Sequence, residues 1–247
     1  MVVCSGPDGR IRDAPLEGKA IPSLIGGLKV TNIVELTLTI GTGSTAVTDV
    51  LRIGLYGNKC PESVKEMTDI CGKGIITSQN LLLGAPVRLS GGSLTFIRPE
   101  ERLEFGVPSQ KVAYAKSIRK AKAPDEFVPQ PRPSGSRLEL VRSEESARLH
   151  DAAGLVSVPK DGIGYGGGLL GKDDDAYSAA FQITAASVPD MDREGRKVIG
   201  QLIDNNSMNV LARLAGSPTK KMLPGQNGGA PLIKVSVDDC VVISVAD

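Results

Sequence analysis

The chain has 247 residues, 40% of them apolar but only 3% aromatic, with no tryptophan and with 29 basic residues against 28 acidic ones. That length suits one full domain with extensions. A net charge of +1 gives no global field for nucleic acid or an anionic membrane, and the shortage of aromatics removes the stacking platforms that single-strand binders use. No apolar run reaches the roughly 20 residues of a membrane-spanning helix, and Met1 to Lys19 has neither a signal core nor transit character.

Residues 1–30 read as an N-terminal extension punctuated by Pro7, Pro15, Pro22 and Gly26–Gly27. Ile33 to Ile40 alternates polar and apolar residues and predicts a half-buried strand. A turn at Gly41 to Thr45 and a second strand over Val50 to Tyr56 complete a hairpin. Pro61 and Glu62 open a helix carrying Val64, Met67, Thr68 and Cys71 at helical spacing, and Gly72 and Gly74 stop it. Leu81 to Leu94, broken by Gly84, Pro86 and Gly91–Gly92, predicts a bent strand.

Residues 98–137 are charged and proline-bearing and read as a long insertion or functional loop. Within it, Lys111, Lys116, Arg119, Lys120 and Lys122 form a basic run, read as a solvated face or as a surface for an acidic partner. Further strands are expected at Leu138 to Val141, Gly154 to Val158, Ala180 to Thr184, Lys197 to Ile203, Leu232 to Val237 and Cys240 to Val245, and a helix at Asn206 to Ala215. Many strands with two helices argue for a β-rich barrel plugged by helices rather than for βαβ units.

The four cysteines, Cys4, Cys60, Cys71 and Cys240, form no CxxC, and with one histidine there is no zinc pattern. Cys60 and Cys71 flank a helix and stand about 16 Å apart along it, too far to bridge. Any disulfide therefore uses Cys4 or Cys240. Gly166 to Lys172 has the G-x-x-x-x-G-K spacing of a phosphate loop, but Asp173 replaces the magnesium-binding hydroxyl, and nucleotide binding is not expected. Asp173 to Asp175 lacks the spaced ligands of a calcium loop. His150 has no partner motif and reads as a surface histidine. No metal or cofactor is expected.

Several segments in order resemble the cyclophilin family of peptidyl-prolyl isomerases. Leu51 to Gly57 followed by Cys60-Pro61-Glu62-Ser63-Val64 is similar to its G-R-I-x-I-x-L-F/Y-x-D-x-x-P-K-T. Gly91–Gly92 is similar to Q-G-G-D, Ala153 to Pro159 to G-x-L-S-M-A, and Ser178 to Thr184 to S-Q-F-F-I-x-T. Asp192 to Leu202 resembles L-D-G-K-x-V-x-F-G-x-V, and Val235 to Cys240 the closing I-x-x-C-G. The resemblance implies a mainly β fold: a closed antiparallel eight-stranded barrel with two capping helices over residues 31–247, interrupted by the insertion at about 98–137. The strands around Ile53-Gly54-Leu55-Tyr56-Gly57 and Val198-Ile199-Gly200 are closest in flavour to divergent plastid members.

In the family, an arginine near the prolyl nitrogen weakens amide resonance, and an apolar pocket seats the proline ring. Counting back from Gly91 puts Leu82 at the arginine position, Val87 and Arg88 at pocket positions and Ser90 at the glutamine position. Phe181 matches a pocket phenylalanine, though it also reads as plain core filler. Pro159 stands where the family has a small alanine, Met191 near a rim tryptophan and Arg196 near a rim histidine. The resemblance therefore implies a degenerate groove without a catalytic residue, unless Arg88 or Arg196 reaches in from a new position. The expected function is a non-catalytic or weakly catalytic binding, assembly or structural subunit. Its partner would be a protein, with a peripheral place on a membrane-bound complex of the chloroplast, in the thylakoid lumen or stroma; otherwise the protein is cytoplasmic. The competing readings are an active isomerase with a rearranged site and a carrier of a small apolar ligand.

Overall fold

A computed structural model describes residues 20–72, 74, 88–106, 140–141, 143–160, 181–220 and 227–245. Its strands are β1 (Asn32–Ile40), β2 (Val47–Leu55), β3 (Ser93–Arg98), β4 (Arg102–Gly106), β5 (Leu155–Pro159), β6 (Phe181–Thr184), β7 (Arg196–Leu202) and β8 (Val235–Ser244). Its helices are α1 (Pro61–Cys71), the single-turn α2 (Asp190–Arg193) and α3 (Asn205–Ala215). The strands close into a barrel in the order β1-β2-β7-β5-β6-β4-β3-β8, and every neighbouring pair is antiparallel. The expected fold class is the one observed.

Alternation in sequence becomes inside and outside in space. Val34, Leu36, Leu38 and Ile40 of β1 point into the barrel and are buried, while Ile33, Glu35, Thr37 and Thr39 face outward. Leu51, Ile53 and Leu55 of β2, Leu103 and Phe105 of β4, Val156 and Val158 of β5 and Ile199 of β7 join the same core. Each such side chain contributes roughly 1.5–3 kcal/mol by leaving water, so an aliphatic core replaces the missing tryptophan. The barrel wall is tight where β2 meets β7. A Cβ on Gly200 would lie 2.4 Å from the carbonyl oxygen of Gly54, so only glycine fits there.

Two helices cover the barrel. α1 starts with Pro61, which has no N–H to leave unpaired, and buries Val64, Met67, Ile70 and Cys71. Its end is tied to the last strand by a Cys71–Cys240 disulfide, one of the pairings open once helix geometry had left Cys4 or Cys240 as the choice. α3 is capped by Asp204, whose carboxylate accepts from Ser207 N at 2.7 Å, and packs Met208, Leu211 and Leu214 on the core. No helix among the described residues is long and apolar enough to cross a membrane.

Four expectations need correction. Arg102–Gly106, expected inside the 98–137 insertion, is a barrel strand, because its charged residues occupy the outer face while Leu103 and Phe105 fill the core. The bent strand expected over Leu81 to Leu94 is described only from Arg88, and β3 begins at Ser93. Leu140 and Val141, expected in a strand, have helical backbone. The two closing strands are one, β8, accommodated against β1 by an irregularity between Thr37 and Leu38. The basic run, the proline-rich segment, the phosphate-loop-like segment and the acidic triplet lie outside the described residues.

Candidate functional site

The resemblance gathers Pro159, the β6 segment and Arg196 into one groove, and the barrel does place their backbones together. Pro159 pairs with Arg196 across β5–β7, Ser157 pairs with Gln182 across β5–β6, and Gln182 pairs with Glu104 across β6–β4. Directly paired residues point to the same side of a sheet. Ser157, Gln182 and Glu104 therefore share the barrel's outer face, with Pro159 and Arg196 beside them.

Phe181 is not on that face. It is fully buried in the interior, stacked on Phe105 with ring centroids 5.4 Å apart and planes 7° apart. Its neighbour Gln182 looks outward instead, because successive strand residues alternate sides. Met191, on α2, is also fully buried, and its N–H donates to Val188 O at 3.1 Å. Arg88 is exposed and Ser90 half-buried. They precede β3, where Leu89 N donates to Ile70 O of α1 and Gly91 N to Val237 O of β8. Leu82 and Val87 lie outside the described residues. Counting back from Gly91 assumed that the glycine pair follows the strands flanking the groove, but here it leads into β3 and the β3–β4 hairpin comes after it.

The residues that sequence reasoning missed are Arg102, Glu104, Ser157 and Gln182. Gln182 Nε2 donates to Glu104 Oε2 at 2.9 Å. A carboxylate only accepts, so the amide nitrogen must face Glu104, and Oε1 is the free end. Arg102 Nη1 pairs with Glu194 Oε2 at 3.1 Å. Burial pushes the Arg196 guanidinium below its ordinary value, and Arg102 adds to this, while Glu104 and Glu194 oppose it. The signal for these residues was present in the alternation of Arg102-Leu103-Glu104-Phe105 and of Phe181-Gln182-Ile183-Thr184.

His150 borders the site and is fully buried, not a surface histidine. Its Nδ1 stands 2.6 Å from Asp192 Oδ1, which fixes the proton on Nδ1 and leaves Nε2 as a buried acceptor with no partner among the described residues. Burial lowers its pKa below 6.5, Asp192 opposes the shift, and Arg196 and Arg102 reinforce it.

A second polar cluster lies under α1. Lys197 Nζ donates to Val141 O at 2.6 Å and to Ser63 Oγ at 3.0 Å, and stands 3.6 Å from Glu144 Oε2. Glu144 accepts from Ser63 N, Ser63 Oγ and Glu62 N, capping the helix from outside it. The Ser63 hydroxyl is fully buried and donates to a carboxylate, so this serine–lysine contact fastens α1 to β7 and is not a nucleophile with its base. Burial likewise raises the neighbouring Cys60 thiol to about 11.

A family model described as cyclophilin-type peptidyl-prolyl cis-trans isomerase/CLD matches residues 37–242. No curated protein matches the chain.

Proposed function

The chain belongs to the cyclophilin-type peptidyl-prolyl isomerase family, and from that premise we propose that it serves as a binding or assembly domain with little or no isomerase activity. The observation that carries this reading is the exchange of Phe181 and Gln182 between faces. The phenylalanine matched to the family's proline pocket lies in the core, and the face left to a ligand carries Ser157, Gln182, Glu104 and Arg196. A proline ring set on those groups would leave the buried atoms Ser157 Oγ, Gln182 Oε1 and Arg196 Nη1 without hydrogen bonds and so would gain nothing from them. Arg196 could offer a donor to a prolyl nitrogen, but a donor without an apolar seat does not hold the substrate's ring. Catalysis here depends on both.

Isomerisation of a blocked X-Pro peptide, followed with purified protein, tests this. Loss of the apolar seat that positions the proline ring is expected to lower kcat/KM by on the order of 100-fold relative to an ordinary family member. A rate equal to that of an ordinary member would favour the alternative, an active isomerase with a rearranged site.

The partner we propose is a protein, with a peripheral place on a membrane-bound complex of the chloroplast. Support comes from the plastid flavour of the β2 and β7 sequences. The Cys71–Cys240 disulfide supports an oxidising compartment and so favours the thylakoid lumen over the stroma. Co-purification at native salt, with fractionation of the organelle, tests the assignment; recovery in a free cytosolic fraction would overturn it.

A further inference from the structure

The outer face of β5 and β6 holds more hydrogen-bonding capacity than the described residues use. Ser157 Oγ, Gln182 Oε1 and Arg196 Nη1 are each shielded from solvent, and none has a partner among the described residues. Buried polar atoms in folded proteins are paired almost without exception, so three orphans on neighbouring residues call for an explanation.

Their positions make one site of them. Ser157 and Gln182 are direct cross-strand partners. Arg196 starts on β7, beside Pro159. Its charge nevertheless acts on Glu104 and Arg102 of β4, and β5 and β6 lie between β7 and β4 in the barrel. On the outer face Arg196 is the diagonal neighbour of Ser157, two residues along β7 from its direct partner Val198, a separation that a long side chain spans. The floor is buried, with Ser157 0% and Gln182 2% exposed. The rim residues Glu104, Pro159 and Arg196 are only half-buried.

The orphans specify the ligand's chemistry. Gln182 Oε1 accepts only, Arg196 Nη1 donates only, and the Ser157 hydroxyl does either. A carboxylate would satisfy Arg196 but set its second oxygen against Gln182 Oε1 and the nearby Glu104. An ammonium would face Arg196 and Arg102. A proline or leucine side chain would leave all three unpaired. A neutral group with one carbonyl and one N–H pairs with every member of the set. Resting on the reading of the chain as a binding domain, we infer that this face selects the carboxamide side chain of an asparagine or glutamine in a peptide. Its carbonyl accepts from Arg196, and its NH2 donates to Gln182 Oε1 or Ser157 Oγ.

The test uses the full chain and blocked pentapeptides, acetyl-Ala-Ala-X-Ala-Ala-amide, with X as Asn, Gln, Asp, Lys, Leu or Pro. Binding is followed by two-dimensional NMR titration. The Asn or Gln peptide is expected to bind on the order of tenfold more tightly than the Leu and Pro peptides, since giving a partner to a buried polar group that otherwise has none gains about that much. Ser157→Ala, which removes one oxygen that has no partner among the described residues, and Gln182→Leu, both checked for folding by thermal unfolding, are each expected to shrink that ratio. Equal affinity for all six peptides, preference for Asp, Lys, Leu or Pro, or a ratio untouched by both variants would overturn the inference. Failure of the binding-domain reading has a different signature, namely rapid isomerisation of an X-Pro peptide.

Discussion

Replacing Glu144 by glutamine removes one negative charge from a site that uses it twice. The carboxylate caps α1 through Glu62 N, Ser63 N and Ser63 Oγ, at 2.5, 3.0 and 2.5 Å, and it stands 3.6 Å from Lys197, the two side chains being 8% and 4% exposed. Glutamine keeps the shape and some of the cap. It leaves the Lys197 ammonium hydrogen-bonded to the neutral acceptors Val141 O and Ser63 Oγ, with Glu66 as a further negative charge nearby. Breaking a buried pair from one side costs about 3–5 kcal/mol. In a chain of this size 1 kcal/mol is worth roughly 2–4 °C, so the melting temperature should fall by about 6–20 °C. Lys197→Met leaves the carboxylate with its three donors and should cost less, roughly 1–3 kcal/mol. The double variant should cost less than the sum of the singles, with a coupling of about 0.5–3 kcal/mol. Thermal and urea unfolding of all four proteins would measure this. A Glu144→Gln cost under about 1 kcal/mol, or strict additivity, would refute the picture of a buried network that fastens α1 to β7.

Reduction of the Cys71–Cys240 disulfide, which joins positions 169 residues apart, is expected to lower stability by about 2–5 kcal/mol. The drop should appear in melts with and without reductant and vanish in a Cys240→Ser variant. His150 is the chain's single histidine, so its NMR titration is unambiguous. Its folded pKa is expected below 6.5, because burial outweighs Asp192. The unfolded chain then binds the proton more readily. The stabilising contribution is full above the unfolded value and is lost as pH falls from about 6.5 through the folded pKa. A folded pKa above 6.5, or the same acid sensitivity in His150→Gln, would contradict this account.

Elements with a long, regular pattern could be read directly. Nine residues of alternation marked β1, and the apolar stripe of Met208, Leu211 and Leu214 marked α3. β4 is five residues long, and its outward residues include Arg102 and Glu104, so it merged with the charged segment that follows. The candidate site was harder because a groove depends on which side of a sheet each residue faces. A shift of one position exchanges the faces. Matching Phe181 to a pocket residue placed a core side chain in the groove and hid Gln182, while Gly91–Gly92 anchored a count to the wrong side of the β3–β4 hairpin.

Sequence alone determined the barrel class, the two covering helices and that Cys60 and Cys71 do not bridge each other. These follow from local periodicity and from distances along a single helix. Only the tertiary structure decided that Ser157, Gln182 and Glu104 stand side by side with Pro159 and Arg196 on the same face. Their adjacency arises from the order β7-β5-β6-β4, in which residues far apart along the chain pair across strands. No local pattern records which strands will be neighbours, because closing the barrel is a collective choice made by the whole core.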